Sequence, residues 1–258
     1  MKVIRSTQNK KIKIWSRLTH KSARKKAQAY LIESWHLVGS AIATHQPILA
    51  VLVTQKQLQL HDQALAGLNV ILITERVARR LAPTVHPQGI FAVLRLPSQS
   101  AIQPTQVQHG AWLLLDQVQD PGNIGTMVRT ADAAGFKGVV LGAGTASAYN
   151  PKVIRAMQGS QFHLRVLSGN LKFWIRDLIQ NHLPVYGTVL DPQAVDYRKV
   201  RPANDFALVM GNEGNGMQKP LLQLTSRNLY IPIPGRAESL NVAVAAGILM
   251  FKLKSVTQ

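Results

Sequence analysis

The chain has 258 residues, 46% of them hydrophobic, and contains no cysteine. This length allows one large domain or two modest ones with buried cores, and the lack of cysteine excludes disulfides, thiolate zinc sites and cysteine nucleophiles. Thirty Lys and Arg stand against twelve Asp and Glu, a formal net charge of +18. Such an excess favours a polyanionic partner, because each neutralised phosphate releases counterions; a merely soluble basic protein is the alternative.

The amino-terminal third is the most basic part of the chain. Ten Lys and Arg precede the first acid, Glu33. Ile14 and Leu18 lie one helical turn apart among these cations, so residues 8–28 are predicted to form one amphipathic helix. Its basic face is either solvated or contacts RNA. The RNA-binding candidates are Lys10, Lys11, Lys13, Arg24, Lys25 and Lys26, together with Arg155 from a later polar stretch.

Two α/β units follow from the alternation of strand-like and helical runs. In the first, strands are predicted at 31–34, 48–54, 70–74 and 89–97, with helices at 35–44 and 75–82. In the second, strands are predicted at 112–118, 138–143, 163–167, 185–190, 206–211 and 228–233. Several of these are apolar throughout, which suits a parallel sheet covered on both faces.

The predicted domains are residues 1–97 and 111–258, joined by a polar linker at 98–110 that shows no periodicity. The first stretch of the chain has no apolar signal core. The longest apolar run, Leu240 to Phe251, is shorter than the roughly 20 residues that a membrane span needs. A cytoplasmic protein without a membrane partner is therefore expected.

The stretch DQVQDPGNIGTMVRTADAAGF, residues 116–136, predicts a capped helix. Asp120 suits the N-cap, and Asn123 lies in the first turn, near a helix N-terminus that attracts anions. Gly125 costs about 1 kcal/mol relative to alanine inside a helix, so a close approach to the backbone is expected there. A packing helix with an exposed Arg129 is the alternative.

The stretch LVMGNEGNGM, residues 208–217, is a strand followed by three glycines and one acid. Its glycine order is G-x-x-G-x-G, whereas the dinucleotide fingerprint is G-x-G-x-x-G, which disfavours an NAD-dependent oxidoreductase. Glu213 needs a partner unless it is fully solvated, and Arg129 is the natural candidate. A turn glutamate facing water is the alternative.

The stretch IPIPGRAESLNVAVAAGILMF, residues 231–251, predicts a thin apolar helix that begins near Leu240 with Ser239 as its cap. Asn241 would be a buried amide, which requires a partner, so a ligand or a facing loop is expected. The chain shows no phosphate-binding G-K-S/T loop, no H-E-x-x-H motif and no metal-ligand spacing among its histidines. No metal is predicted.

These three stretches resemble, in order and spacing, the signature motifs of the SpoU (TrmH-like) RNA 2′-O-ribose methyltransferases of the SPOUT superfamily. The matching residues are Asn123, Gly125, Arg129 and Gly135; then Gly211, Asn212, Glu213 and Gly214; then Ile231, Pro232, Gly235, Ser239, Leu240, Asn241 and Val242. Residues 1–97 resemble the ribosomal-protein-like RNA-binding domain of that family. Ser34 departs from the pattern, because the family commonly has glycine there.

The resemblance implies an α/β fold whose carboxyl-terminal SPOUT domain has a mostly parallel sheet, helices on both faces and a deep trefoil knot. It implies S-adenosylmethionine as cofactor, held largely by backbone, and a homodimer through the carboxyl-terminal domain. The implied cofactor-binding residues are Thr188, Gly211, Asn212, Ile231, Ile233 and Leu240.

The implied reaction is methylation of a ribose 2′-hydroxyl in structured RNA, with 23S ribosomal RNA favoured. Arg129 would position the phosphate and the hydroxyl, and Glu213 would orient Arg129. Asn123, Ser239 and Asn241 would orient the ribose. Methylation of transfer RNA, or a catalytically silent RNA-binding or ribosome-assembly factor, are the alternatives.

Overall fold

The structure, a computed structural model, describes residues 1–97 and 109–255. These residues form two compact units, one of 1–97 with 149–162 and one of 109–148 with 163–255. The predicted α/β class is confirmed for both. Of the predicted linker, only His109 and Gly110 lie within the described residues. None of the helices in the two described ranges is long and apolar enough to cross a membrane.

The first unit is built on a five-stranded sheet in the order β1-β4-β3-β5-β2. The strands are β1 (Lys2–Ile4), β2 (Ala29–Glu33), β3 (Ile48–Val53), β4 (Val70–Ile73) and β5 (Ile90–Arg95). β4 is parallel to both β1 and β3, whereas β5 is antiparallel to β3 and β2. The helices are α1 (Lys10–Trp15), α2 (Lys21–Ala27), α3 (Trp35–Ala43), α4 (Gln55–Leu65) and α5 (Glu75–Leu81). The sequence prediction missed β1 and α4.

The predicted single helix over 8–28 is wrong, because the chain turns between α1 and α2. Ile12 and Leu18 are buried, whereas Ile14 is 51% exposed, so Ile14 and Leu18 do not share an apolar face. Arg24 Nη1 donates to the carbonyl oxygens of Leu18 and Thr19 at 2.9 and 2.8 Å. Arg24 is therefore a buried structural residue that fastens α2 to the turn, and its assignment as an RNA contact is also wrong.

The second unit is built on a seven-stranded parallel sheet in the order β10-β12-β9-β11-β6-β7-β8. The strands are β6 (Ala111–Leu115), β7 (Gly138–Leu141), β8 (Arg165–Ser168), β9 (Val185–Thr188), β10 (Val195–Asp196), β11 (Phe206–Met210) and β12 (Arg227–Tyr230). The helices are α6 (Pro121–Ala133), α8 (Leu171–Gln180), α9 (Lys219–Leu222) and α10 (Val242–Leu253). The predicted mostly parallel sheet is confirmed, and the two-residue β10 was not predicted.

The central strands β6 and β11 are buried at every position, which explains why their sequences are continuously apolar. Trp112, Leu114 and Val209 pack in one cluster with Trp174 and Leu178 of α8. Helices α6 and α10 contact each other. This arrangement brings the amino-terminal ends of α6 and α10 near the carboxyl ends of the central strands.

The segment between β7 and β8 departs from the predicted boundaries. Its helix α7 (Pro151–Met157) and the following 3-10 turn (Ser160–Phe162) belong to the first unit, although residues 111–258 were predicted to form one domain. α7 contacts β2, and the ring of Tyr149 lies 4.9 Å from that of Tyr30 between centroids. A crossover between parallel strands needs a long connection. The connection between β7 and β8 contains α7, whose apolar residues Val153 and Ile154 are buried in the first unit.

Candidate active site

A cavity of about 810 Å³, counting its open mouth, lies in the second unit and includes the carboxyl ends of β9, β11 and β12. Ligands of open α/β sheets commonly bind at this edge. Its lining includes all six residues predicted to bind the cofactor, Thr188, Gly211, Asn212, Ile231, Ile233 and Leu240. Glu213 and Ser239 also line it. Val242 of the third motif lines it too, and the sequence analysis missed the rest of the apolar wall, formed by Val189, Leu190, Met210, Leu229 and Leu249.

The loop after β11 closes on itself through its backbone. Asn212 and Gly216 exchange two backbone hydrogen bonds of 3.0 Å, and Asn212 Oδ1 accepts from the N–H groups of Gly214 and Asn215. A Cβ atom at Gly211 would collide with the backbone of Gly216 and Met217. Glycine at 211 is therefore required by the loop's own fold.

Glu213 binds the amino-terminal end of α6. Its Oε1 accepts from the backbone N–H of Asp120 at 3.0 Å and from Asn123 Nδ2 at 3.2 Å, and Oε2 accepts from the backbone N–H of Gln119 at 3.2 Å. Burial acts to raise the pKa of Glu213, but the hydrogen bonds from Asp120, Asn123 and neighbouring backbone outweigh it and lower that pKa. The carboxylate thus ties the loop after β11 to α6.

The predicted pairing of Glu213 with Arg129 is wrong. No hydrogen bond or ion pair joins the two side chains, both of which lie in the described part of the chain. Arg129 lies six residues after Asn123, roughly 9 Å farther along the helix axis, whereas the free N–H groups that attract a carboxylate occur only in the first turn. The guanidinium of Arg129 is exposed on α6 and has no hydrogen-bond partner within the described residues.

Asn241, rather than Ser239, caps α10. Its Oδ1 accepts from the N–H groups of Ala243 and Val244 at 2.9 and 3.2 Å, and the helix begins at Val242. The side chain is exposed, so the predicted buried amide is also wrong. Its Nδ2 donates to Asn123 Oδ1 at 3.0 Å. Asn123 therefore joins Asn241 to Glu213, while Ser239 remains an exposed residue at the cavity.

Asp116 and Gln117, which directly follow β6, hold the loop after β11 in place. The sequence analysis missed both. Asp116 is 1% exposed, and its carboxylate accepts from the backbone N–H and the side-chain Nε2 of Gln218 at 2.8 and 2.6 Å. Gln117 has a φ of 56° and accepts from Asn212 Nδ2 at 2.8 Å through its carbonyl oxygen. An acid at the end of a continuously apolar strand was the available signal for Asp116.

The remaining predicted RNA contacts are all in the first unit. Lys10, Lys11, Lys13, Lys25 and Lys26 are exposed on α1 and α2, and Arg155 is exposed on α7. The ammonium of Lys11 lies 5.7 Å from the ring centroid of Trp15, close enough for a cation–π contact. These cations are accessible to a phosphate backbone.

Comparison with known proteins gives the family. Residues 110–251 match the model of the SpoU rRNA Methylase family. The chain belongs to the SpoU rRNA methylase family. Residues 9–92 also match the MRM3-like substrate binding domain, in keeping with the predicted RNA-binding unit.

Three relatives illustrate the likeness. The 23S rRNA (guanosine(2553)-2′-O)-methyltransferase RlmP of Bacillus subtilis is 42% identical, over 98% of this chain and 100% of its own. The structure of an AdoMet-bound rRNA methyltransferase from Sinorhizobium meliloti superposes with a TM-score of 0.86 at 30% identity, covering 98% of this chain and 97% of that one. An RNA 2′-O ribose methyltransferase structure gives a TM-score of 0.81 at 29% identity, covering 97% of each chain.

These findings confirm the predicted reaction class of this SpoU protein and its predicted methyl donor, S-adenosylmethionine. The cavity fits such a donor. Its walls are mainly apolar, with polar groups at Thr188, Asn212 and Ser239, a mixture typical of cofactor sites. Gly211, Gly214 and Gly216 also line the cavity, so main-chain atoms form part of its wall.

Proposed function

We propose that this SpoU family member methylates a ribose 2′-hydroxyl of 23S ribosomal RNA, in the cytoplasm, with S-adenosylmethionine as donor. The name of the Bacillus subtilis relative, which matches almost the whole chain, supports ribosomal RNA as the substrate. The observation that carries the proposal is the cavity at the carboxyl edge of the second sheet, bordered by Glu213 and Ser239. The exposed lysines of α1 and α2 supply the positive surface that a large RNA requires.

Each residue predicted for catalysis or cofactor binding has a role in this proposal. Thr188, Gly211, Asn212, Ile231, Ile233 and Leu240 hold the cofactor, which supplies an electrophilic methyl group on sulfur when bound. Asn123, Asn241 and Glu213 form a fixed network between α6, α10 and the loop after β11. Arg129, free of partners in the described chain, binds the phosphate beside the target ribose and stabilises negative charge developing on its 2′-oxygen. Ser239 contacts the ribose.

The carboxyl-terminal half is proposed to be threaded as a deep trefoil knot. In support, the segment 211–216 after β11 and the segments 231–233 and 239–242 after β12 all contribute to the lining of one cavity. The loop after β11 is bound to α6, and the start of α10 is bound to α6 as well. The domain limits 1–97 and 111–258 are retained in the proposal, with residues 149–162 as an excursion into the first unit.

A homodimer through α10 is also proposed. Val244 and Phe251 are 53% and 57% exposed, and their seven-residue spacing places them on one face of the helix. An exposed apolar stripe of this kind is typical of an interaction surface. A second copy is the preferred occupant, because Asn241 caps the start of α10 and a copy on this helix would lie close to the site.

The test is methyl transfer from labelled S-adenosylmethionine to ribosomal RNA taken from cells that lack this protein. Label should appear in 23S RNA, and mapping of 2′-O-methyl groups should place it at one ribose. Transfer RNA from the same cells is the matched control and should remain unlabelled. Label in transfer RNA would contradict the proposed substrate, whereas RNA binding without transfer would favour a silent assembly factor.

A further inference from the structure

The first unit contains a second cavity, of about 840 Å³ including its mouth, that the proposed methyl transfer does not use. Its walls come from the end of β2, the start of α3, the segment 83–88 and α7, all within the first unit. Apolar side chains, Leu31, Leu37 and Ile154, form part of the lining. Polar side chains form most of the rest, among them Glu33, Ser34, Arg155, His36, Thr84, His86, Gln88 and Gln158, so the cavity can hold a ligand with an apolar body and a polar edge.

Glu33 is the unusual group in this cavity. Its Oε1 accepts from the Thr84 hydroxyl at 2.7 Å, whereas its Oε2 is buried and accepts no hydrogen bond from the described residues. Burial raises the pKa of Glu33, and the Thr84 hydroxyl, the charge of Arg155 and the backbone N–H of Gln88 oppose that rise. A buried acceptor without a donor is costly, which indicates that a ligand supplies the donor.

Three neighbouring side chains already make hydrogen bonds to groups other than Glu33. His36 Nε2 is bound to the carbonyl oxygen of Gln158 at 2.9 Å, so it acts as a donor there. Gln88 Oε1 accepts from the backbone N–H of Trp35 at 3.0 Å. The Ser34 hydroxyl accepts from Leu37 N at 3.4 Å, and its own hydrogen has no acceptor in the described chain. The cavity therefore offers the Glu33 carboxylate as an acceptor. Its unengaged donors among the described residues are the Ser34 hydroxyl, Gln88 Nε2, the His86 ring and the Arg155 guanidinium.

The backbone at Ser34 is strained, with a φ of 96° that L-residues rarely adopt. Strain of this kind persists where the surrounding structure requires it and is concentrated at binding sites. Ser34 follows Glu33 directly and lines the same cavity. A serine at a φ that favours glycine therefore indicates that the Ser34 hydroxyl itself contacts the ligand.

A metal ion does not suit this set of groups, since no three His, Asp or Glu side chains in the described ranges lie where they could hold one. A nucleobase does suit it. Among the RNA bases, guanine alone presents two adjacent donors on its Watson–Crick edge, N1–H and the N2 amino group, and a carboxylate accepts both. Guanine O6 then requires a donor such as a hydroxyl, and the attached phosphate requires a cation such as Arg155.

We propose that this cavity binds a guanine base from a single-stranded segment of RNA, with Glu33 accepting from N1–H and the N2 amino group. This inference rests on the proposed function for its choice of RNA as the source of the base. Ser34 supplies the donor for O6, and Arg155 contacts the phosphate. The cavity thus contributes base specificity, whereas the lysines of α1 and α2 bind the backbone without regard to sequence.

The test is binding of the full chain to short fluorescent single-stranded oligouridines that carry one central guanosine, inosine, adenosine or uridine. Inosine keeps N1–H but lacks the N2 amino group, so it isolates one of the two contacts. Wild type should bind the guanosine oligomer about tenfold or more tightly than the uridine and adenosine oligomers, with inosine weaker than guanosine. Glu33→Gln should lose this preference. Glu75→Gln, which removes an exposed acid of the same unit by the same chemical change, should keep it.

Other outcomes separate the possibilities. Equal affinity for the four oligomers, or a preference that persists in Glu33→Gln, would overturn the assignment. A preference for adenosine would overturn it as well, because that base presents a single donor next to an acceptor. Free guanosine monophosphate that binds as tightly as the guanosine oligomer would show a nucleotide rather than RNA as the ligand. Because no methyl transfer is measured, failure of the proposed methylation leaves this result unaffected.

Discussion

Asn241 at the start of α10 donates from its side-chain amide to Oδ1 of Asn123 in α6, with 3.0 Å between nitrogen and oxygen. The two residues are 118 positions apart in the chain. The orientation of each amide is fixed by its second partner, because Asn241 Oδ1 caps α10 and Asn123 Nδ2 binds Glu213. The three sequence motifs of this SpoU protein therefore meet in one hydrogen-bonded network.

Asn241→Asp separates helix capping from the network. Aspartate keeps an oxygen for the N–H groups of Ala243 and Val244, and a helix N-terminus favours its charge, so the free energy of unfolding should change by less than about 1 kcal/mol. The donor to Asn123 is lost, and an anionic oxygen replaces it. The rate of methyl transfer should therefore fall at least about tenfold, since loss of one preorganised hydrogen-bond donor from an active site lowers the rate by this factor or more.

Asn241→Ala is the matched comparison for this variant. It removes the cap as well as the donor, so its free energy of unfolding, measured with urea, should fall by about 1 kcal/mol. Its methyl-transfer activity should fall as far as that of Asn241→Asp. Full activity in Asn241→Asp would contradict a functional role for the contact with Asn123.

Glu213 predicts a specific pH dependence of stability. Its pKa in the folded chain is below the ordinary value of 4.5. The Glu213 carboxylate therefore contributes its full stability at pH values above 4.5. This contribution is lost as the pH falls through the folded pKa, because the unfolded chain binds the proton more readily. The free energies of unfolding of wild type and Glu213→Gln, measured with urea, should therefore differ by about 1 kcal/mol at neutral pH and converge in acid below pH 4.5.

The control for this measurement is Glu238→Gln. Glu238 is exposed and has no hydrogen-bond partner in the described chain. Its replacement should leave the pH dependence of the wild type unchanged. A difference between wild type and Glu213→Gln that stays constant down to pH 3 would be evidence against the network around Glu213.

The sequence predicted most strands of both sheets, because continuous apolar runs such as Phe206–Met210 are long enough to identify a buried strand. It failed where the outcome depends on tertiary contacts. The turn between α1 and α2 exists because Arg24 binds the carbonyl oxygens of Leu18 and Thr19, and no local periodicity encodes that contact. β10 is two residues long and is specified only by its neighbour β12.

In the site, the sequence grouped residues that the structure also brings together, but it did not predict their partners. The six residues predicted to bind the cofactor line one cavity, since glycines and prolines at strand ends mark the loops that build it. The choice of Arg129 for Glu213 followed from charge complementarity alone. In the structure the backbone N–H groups at the start of α6 satisfy the carboxylate instead, and these donors become visible only when the position of the helix terminus is known.

Arg129→Lys tests the proposed role of the guanidinium. Lysine keeps the charge but cannot present two parallel N–H donors to a phosphate. Turnover should fall about a hundredfold or more, as for loss of a transition-state donor. Affinity for S-adenosylmethionine, measured by calorimetry, should be unchanged, because Arg129 does not line the cavity. An active Lys variant would show that positive charge alone is sufficient.

Ser34→Gly should stabilise the first unit. Glycine adopts a φ of 96° without strain, and the serine cap on Leu37 N is long, at 3.4 Å, so little is lost with it. The net gain should be about 1 kcal/mol, or a rise of about 2–4 °C in the thermal midpoint. Ser34→Ala keeps the strain and removes the cap, so its midpoint should fall. If guanine binding involves the Ser34 hydroxyl, both variants should also bind the guanosine oligomer more weakly.

Phe251→Lys tests the proposed homodimer. Phe251 is 57% exposed on α10, and a charge there would be buried without a partner if a second copy covers that face. Light scattering after gel filtration should show a dimer for wild type and a monomer for Phe251→Lys. Phe173→Lys is the matched control, since Phe173 is 51% exposed on α8, away from the proposed interface, and should remain dimeric. A monomeric wild type, or a dimeric Phe251→Lys, would contradict association through α10.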